Sequence, residues 1–336
     1  MAERLSDKLR EYLLTAIGRD VSIRDIRTFL RIESGSKDDQ NLRVHMSTTM
    51  VKEKIVKPSG RNDGIYKVIK RVQPVRVFGT GRERRLPFDL RFPKDFDTGM
   101  EMGFAEQIVL REGDLIIIGG VSNFGKTCLA LNICGENVDF LPVLMGNEYT
   151  TRVGDTGGYE PTPRFLNRLD TMDWVQWVKS DGQDKFTLLP VKEDYAEHIV
   201  KDKINIIDWI NIDANKLYDI SKVSEDIKAE LGRGIGIVVL QKGEGATAPR
   251  GGQFAKDFSD CELLIDRLTD RESMLTIGKV KEYTAPVIGR KFAFGISKGV
   301  RIINFREIVL CPTCHGKKWV GHKPCDVCDK IGYVDL

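Results

Sequence analysis

What the chain lacks narrows it first. No apolar run approaches the ~18 residues that a membrane-crossing helix needs, so no membrane span and no membrane partner are expected. Met1-Ala2-Glu3-Arg4-Leu5-Ser6-Asp7 has none of the apolar core of a secretory leader. A disulfide framework is missing as well. Of seven cysteines, Cys128, Cys134 and Cys261 stand isolated in apolar surroundings, and the other four crowd into the last 26 residues as two Cys-x-x-Cys pairs. That usage suits a reducing cytoplasm and a metal site. Nor does one sign of charge dominate, because the net charge is only +3. With 336 residues, 41% hydrophobic and 30% charged, the composition is that of a soluble protein with one large core and one or two small domains.

The charge that is present is uneven. Residues 1–72 hold 16 Lys and Arg against 10 Asp and Glu, leaving 36 against 39 for the remainder. A basic head on a near-neutral body points to nucleic acid.

The most informative stretch is Leu115-Ile116-Ile117-Ile118-Gly119-Gly120-Val121-Ser122-Asn123-Phe124-Gly125-Lys126-Thr127. Four consecutive apolar residues predict a strand buried on both faces, a Gly-rich turn follows, and Cys128-Leu129-Ala130-Leu131-Asn132-Ile133 predicts a helix. Gly120 to Thr127 fits G-x-x-x-x-G-K-[ST], the phosphate-binding loop. Backbone N–H groups of such a loop and of the helix start converge on phosphate oxygens, and glycines let the chain come close. Gly120, Ser122, Asn123, Gly125, Lys126, Thr127 and Cys128 are the expected nucleotide contacts. Lys126 would reach the β- and γ-phosphates, and the Thr127 hydroxyl would sit on Mg²⁺. ATP with Mg²⁺ is the expected ligand.

Residues 1–72 predict three helices and a hairpin. Leu5, Leu9, Leu13, Leu14 and Ile17 recur at helical spacing, and Ile23, Ile26, Phe29 and Leu30 mark a second helix. A third runs from about Asp38 to Lys54, and residues 55–69 read as two strands around a polar turn. This order resembles a winged helix-turn-helix domain. The resemblance implies that the third helix enters a DNA groove, with Arg43, His45, Thr48, Thr49 and Lys52 as contacts and Lys57 and Arg61 on phosphates. A helical interaction domain with a solvated basic face is the other reading. Residues 73–99, with Pro74, Pro87 and Pro93 around Arg82, Arg84 and Arg85, read as a linker.

From about residue 100 to 305 strand and helix patterns alternate, which predicts an α/β fold with a mainly parallel sheet covered on both faces. Ligands of such sheets sit outside the carboxyl ends of the strands. Phe140–Met145 ends at Gly146-Asn147-Glu148, Ile204–Ile207 ends in Asp208, and Ile235–Leu240 ends in Gln241. Asp208 suits a carboxylate holding the Mg²⁺ shell, Glu148 a general base for attacking water, and Gln241 a sensor of the γ-phosphate.

Four stretches make a resemblance specific: Gly113–Ile118 with the phosphate loop, Met145-Gly146-Asn147-Glu148, Ile206-Ile207-Asp208-Trp209-Ile210, and Val239-Leu240-Gln241 followed by Lys279-Val280-Lys281. They resemble the ATPase domain of the RecA superfamily, and within it the DnaB-like replicative ring helicases. The resemblance implies a RecA-like phosphate-loop ATPase core, Glu148 as catalytic base, and Lys279 and Lys281 reaching into a neighbouring subunit's site in a ring or filament. It also implies that the loop after Gln241, with Lys242, Arg250 and Lys256, grips a DNA strand. Lys281 stands where the family has Arg, and a Lys gives a point charge without the bidentate fork.

Cys311-Pro312-Thr313-Cys314 and Cys325-Asp326-Val327-Cys328 form C-x₂-C-x₁₀-C-x₂-C, the spacing of a four-thiolate Zn²⁺ site that resembles a zinc ribbon. The expected organisation is therefore a winged-helix-like domain (1–72), a linker (73–99), a RecA-like core (100–305) and a zinc-binding domain (306–336). The expected function is a DNA-binding, helicase-like ATP hydrolase working as a homo-oligomer in replication or recombination. An ATP-gated DNA-binding regulator or loader, and a strand-exchange recombinase, are the alternatives.

Overall fold

A computed structural model of the chain describes residues 5–60, 64–70, 86–146, 148–154, 157–210, 219–249 and 251–336. They form two compact units, Met1–Arg82 and Glu83–Leu336. No helix among the described residues is long and apolar enough to cross a membrane.

In the first unit α1 (Leu5–Thr15), β1 (Asp20–Ser22), α2 (Ile23–Leu30) and α3 (Lys37–Val44) precede a hairpin of β2 (Val56–Pro58) and β3 (Ile65–Val68). The α3 helix continues as a π-helical turn over His45–Met50. The sheet is antiparallel in the order β1-β3-β2. Strand β1 is too short to show an alternating pattern, and its Ser22 doubles as the N-cap of α2 in a capping box with Asp25. Leu9, Leu13, Ile26, Leu42, Met46 and Met50 fill the core. Arg61, expected on a phosphate, lies outside the described residues.

The second unit is built on ten strands. In chain order its elements begin with β4 (Leu115–Gly120), α4 (Lys126–Glu136), β5 (Val143–Met145), a hairpin of β6 (Thr150–Val153) and β7 (Gly158–Pro161), α5 (Pro163–Thr171) and β8 (Thr187–Leu189). There follow β9 (Ile204–Ile207), α6 (Ile220–Glu230), β10 (Ile235–Gln241), α7 (Gln253–Phe258), β11 (Cys261–Arg267), β12 (Glu272–Val280), β13 (Lys291–Ser297) and β14 (Arg301–Leu310). Two-residue strands β15 (Trp319–Val320) and β16 (Lys323–Pro324) and a final β17 (Tyr333–Asp335) complete the set.

The sheet order is β17-β14-β13-β12-β11-β4-β10-β9-β5-β8. Strands β8, β5, β9, β10, β4 and β11 run parallel, and β12, β13, β14 and β17 extend them antiparallel. Leu115 to Ile118 are fully buried, with Ile116 and Ile118 in one apolar cluster and Leu115 and Ile117 in another. A strand covered on both faces has to be apolar throughout, which is why it reads as a run rather than an alternation. The result is an α/β core on a mainly parallel sheet, the architecture expected for the large domain.

Two domain boundaries differ from the sequence expectation. The linker of 73–99 ends early: Leu90 and Phe92 are buried in the core beside Phe104, and the Phe88 N–H donates to the Leu110 carbonyl. Prolines and arginines masked those apolar anchors. Residues 73–85 lie outside the described residues. The boundary at 305 falls inside β14, and β17 pairs back onto β14 through Ile308–Asp335, Val309–Val334 and Leu310–Tyr333. The cysteine-rich segment is thus spliced between two strands of the main sheet. Phe140 also belongs to a short 3-10 turn rather than to β5.

Candidate functional site

The phosphate loop leaves β4 at Gly120 and enters α4 at Lys126. Gly125 adopts φ +104°, a left-handed conformation, and a Cβ there would meet Ile296 Cδ1 at 2.6 Å. A Cβ on Gly120 would meet Lys126 Cγ at 2.8 Å. Both positions need glycine for the loop to close around the lysine stem. Lys126 is 8% exposed, and its Nζ donates to the Val121 carbonyl at 2.9 Å. Burial pushes its pKa down, while Asp208 and Glu148 push it back up.

Asp208 follows β9 and is 3% exposed. The Tyr149 hydroxyl donates to its Oδ2 at 2.5 Å, and the Thr127 side chain is near enough to act on the carboxyl. Burial raises its pKa, which Tyr149, Thr127 and Lys126 partly counter. Asp208 Oδ1 has no hydrogen-bond partner among the described residues. A buried carboxylate oxygen left unpaired beside a Thr hydroxyl fits an Mg²⁺ shell, because an uncompensated buried charge is costly without a cation.

One cavity of about 540 Å³ is lined by Ser122, Asn123, Gly125, Lys126, Thr127 and Cys128 of the loop and helix, by Glu148 and by Gln241. The structure therefore brings six of the seven expected loop and helix residues, Glu148 and Gln241 to one place, with Asp208 buried close to Lys126 and Thr127. The Gln241 amide donates to Ser122 Oγ, linking the end of β10 to the loop. Burial raises the Cys128 thiol, so it stays protonated and lines the wall without reacting. Larger cavities of about 690 and 680 Å³ lie elsewhere. Neither gathers a phosphate loop, a buried carboxylate and a strand-end acid, so chemistry rather than volume identifies the site.

Five lining residues were not expected from sequence: Arg164, Arg168, Trp209, Ile296 and Gly299. Thr162 caps α5, with Pro163 in its first turn. That Thr-Pro start signal, followed by arginines four residues apart, is legible once a helix is placed there.

Other expected site residues are placed differently. Lys242 is 3% exposed and ion-paired with Asp266, so it does not project toward a strand of DNA. Lys256 lies 3.9 Å from Glu262. Arg250 is outside the described residues. Lys279 Nζ donates to the Lys256 and Asp257 carbonyls, and Lys281 pairs with Asp260 at 2.7 Å. Val280 pairs with Cys261, which in turn pairs with Ile116 near the start of β4. Both lysines therefore stand at the end of the strands opposite the phosphate loop and cannot serve the site of their own chain. In the first unit, Lys52 and Lys57 are exposed, and Arg43 is exposed but ion-paired with Asp39. The Thr48 hydroxyl bonds the Val44 carbonyl, Thr49 is half-buried, and His45 Nδ1 is buried without a partner.

The four tail cysteines are buried, free of disulfides, and their Sγ atoms lie within 4.8 Å of one another. The Cys311–Cys325 and Cys314–Cys328 sulfur separations are 3.7 and 3.6 Å. A tetrahedron of zinc–sulfur bonds of about 2.3 Å has edges of about 3.8 Å. Backbone N–H groups of Cys314 and Thr313 pull the Cys311 thiol down to about 7. The cluster is compatible with zinc.

No protein-family model matches the chain, and no curated protein matches it. Among solved structures it is similar to a KaiC-like protein, PH0186, from the hyperthermophilic archaeon Pyrococcus horikoshii OT3. That likeness has 15% identity and a TM-score of 0.46, and covers 66% of this chain and 99% of the other. It is also similar to a DnaB-like replicative helicase studied with primase, at 13% identity and a TM-score of 0.37 over 57% of each chain. The α/β architecture of the large unit stands on its own strand order and phosphate loop.

Proposed function

We propose that the chain is an Mg²⁺-dependent ATP hydrolase that couples hydrolysis to action on DNA, in the manner of helicase-like RecA-fold motors. The observation that carries this reading is the convergence of Lys126, Thr127, Glu148 and Gln241 on one cavity, with the buried Asp208 carboxylate close by. Mg²⁺, held by the Thr127 hydroxyl and the Asp208 carboxylate, would offset charge on the β- and γ-phosphates. Glu148 accepts a proton from water, the water oxygen attacks the γ-phosphorus, and the bond from that phosphorus to the β–γ bridging oxygen breaks with its electron pair on ADP. Lys126 binds the transferring group, and Gln241 senses it. The Gln241–Ser122 bond gives the end of β10, and the loop beyond it, a link to phosphate occupancy.

The exposed Lys52 and Lys57 support DNA contact by the first unit, since phosphate binding needs clustered cations. Hydrolysis is expected to rise with single-stranded DNA and to be lost in a Lys126→Ala control. Tight duplex binding with slow, unstimulated hydrolysis would instead establish a DNA-binding regulator or loader. The placement of Lys279 and Lys281 in contacts within their own chain favours that second reading.

Cys311, Cys314, Cys325 and Cys328 would hold a structural Zn²⁺. About one zinc per chain is expected on release with a thiol-reactive reagent, read with a colorimetric chelator. A Cys311→Ser, Cys325→Ser variant should carry none; metal content unchanged in that variant would refute the site.

A further inference from the structure

The phosphate cavity has two cations that the reading above leaves unused. Arg164 and Arg168 are one turn apart on α5 and line the same cavity as Lys126, Glu148 and Gln241. Neither guanidinium has a hydrogen bond or ion pair with any described residue, although the chain is rich in carboxylates. Residues at i and i+4 share a helix face, so the two form one cationic wall. Arg168 acts electrostatically on Cys128 and Tyr149, which puts its charge near the start of α4 and the partner of Asp208.

The helix is fixed in place rather than draped there. Thr162 donates from its hydroxyl to the Glu148 carbonyl at 3.1 Å, and the Phe165 N–H donates to the same hydroxyl at 3.3 Å. Phe165 is 2% exposed and packs on Tyr149 with ring centroids 4.7 Å apart. Tyr149 in turn bonds Asp208. The start of α5 is therefore bolted to the strand-end acid and to the buried carboxylate. Meanwhile the lysines expected to reach a neighbour's site are held at the far end of the strands.

We propose that Arg164 and Arg168 form an in-chain clamp on the terminal phosphate of the nucleotide, so that hydrolytic competence resides within a single chain. This rests on the reading of the cavity as an ATP site. Two guanidinium groups offer paired donors to the equatorial phosphoryl oxygens, where charge spreads as the bond to the leaving oxygen lengthens. A lysine cannot reproduce that fork.

The test compares the full chain with Arg164→Ala, Arg168→Ala, the double variant and Arg168→Lys. Two measurements are made: binding of fluorescent ADP and ATP analogues, and phosphate release across a dilution series of protein. Wild type should keep a constant specific activity on dilution through its assembly range. The double variant should lose about 10²–10³-fold in hydrolysis and its preference for ATP over ADP, while binding the ADP analogue within about threefold of wild type. That retained ADP binding also reports an intact fold. Arg168→Lys should recover only a minor part of the loss. Variants that hydrolyse within threefold of wild type, or wild-type activity that falls in step with disassembly, would overturn the clamp. A wild-type chain that binds neither analogue would instead fail the ATP reading itself and take the clamp with it.

Discussion

Lys126→Ala is expected to lower ATP hydrolysis by about 10³-fold, the scale of losing a preorganised charge at a site of developing negative charge. The lysine sits where its charge is least comfortable. It is almost wholly buried, burial pushes its pKa down, and its Nζ is parked on the Val121 carbonyl at 2.9 Å. Asp208 and Glu148 push that pKa back up. A phosphate entering the loop would replace one weak carbonyl contact with a full anionic partner in a poorly screened setting. Alanine removes both the charge and the stem that Gly120 makes room for. Phosphate release at saturating ATP is the measurement, and a variant keeping more than about a tenth of the wild-type rate would refute the role.

Asp208→Asn should lower hydrolysis by about 10²-fold while leaving the fold as stable as before, or more so. The sign follows from linkage. Burial raises the Asp208 pKa in the folded chain above its unfolded value. Such a group favours the folded state fully below the unfolded value of about 4, and that favour is lost as pH rises through the raised folded value. Near neutral pH the ionised carboxylate is therefore a liability to folding. Asparagine removes the charge and keeps an acceptor for the Tyr149 hydroxyl. Thermal unfolding followed from pH 4 to 8 should show the variant's advantage growing with pH. Destabilisation at every pH would mean that Asp208 is a structural group. The same raised pKa predicts that hydrolysis by the wild type falls off at a higher pH than a solvated carboxylate would dictate.

Sequence exposed the parts of this molecule that repeat a local rule. Leu115–Ile118 declared a covered strand because no polar residue is tolerated on either face, and Gly120, Gly125, Lys126 and Thr127 declared a loop because phosphate cradles need those residues at that spacing. Asp208 and Gln241 were visible as polar stops on apolar runs. What stayed hidden depends on contacts distant in sequence. Phe88, Leu90 and Phe92 looked like linker because their partners, Phe104 and Phe140 among them, lie beyond a tight local pattern. Lys242 looked available because nothing local shows that Asp266, 24 residues on, neutralises it. Arg164 and Arg168 follow a short exposed hairpin whose strands β6 and β7 carry little apolar signal, so no element was there to aim them.

The splice of the cysteine-rich segment into the sheet also bears on how a metal-starved cell would handle this chain. Cys311 N–H donates to the Gly332 carbonyl, and the Gly332 N–H donates to Cys328 Sγ, so the thiol cluster sets where Tyr333–Asp335 can lie. Without its closure, Ile308 to Leu310 would present unpaired backbone, next to side chains as exposed as Leu310 at 53%. A bare strand edge is a template for pairing with another copy. On the proposed zinc reading, metal supply would then act as a solubility checkpoint, sorting chains into folded protein or aggregate.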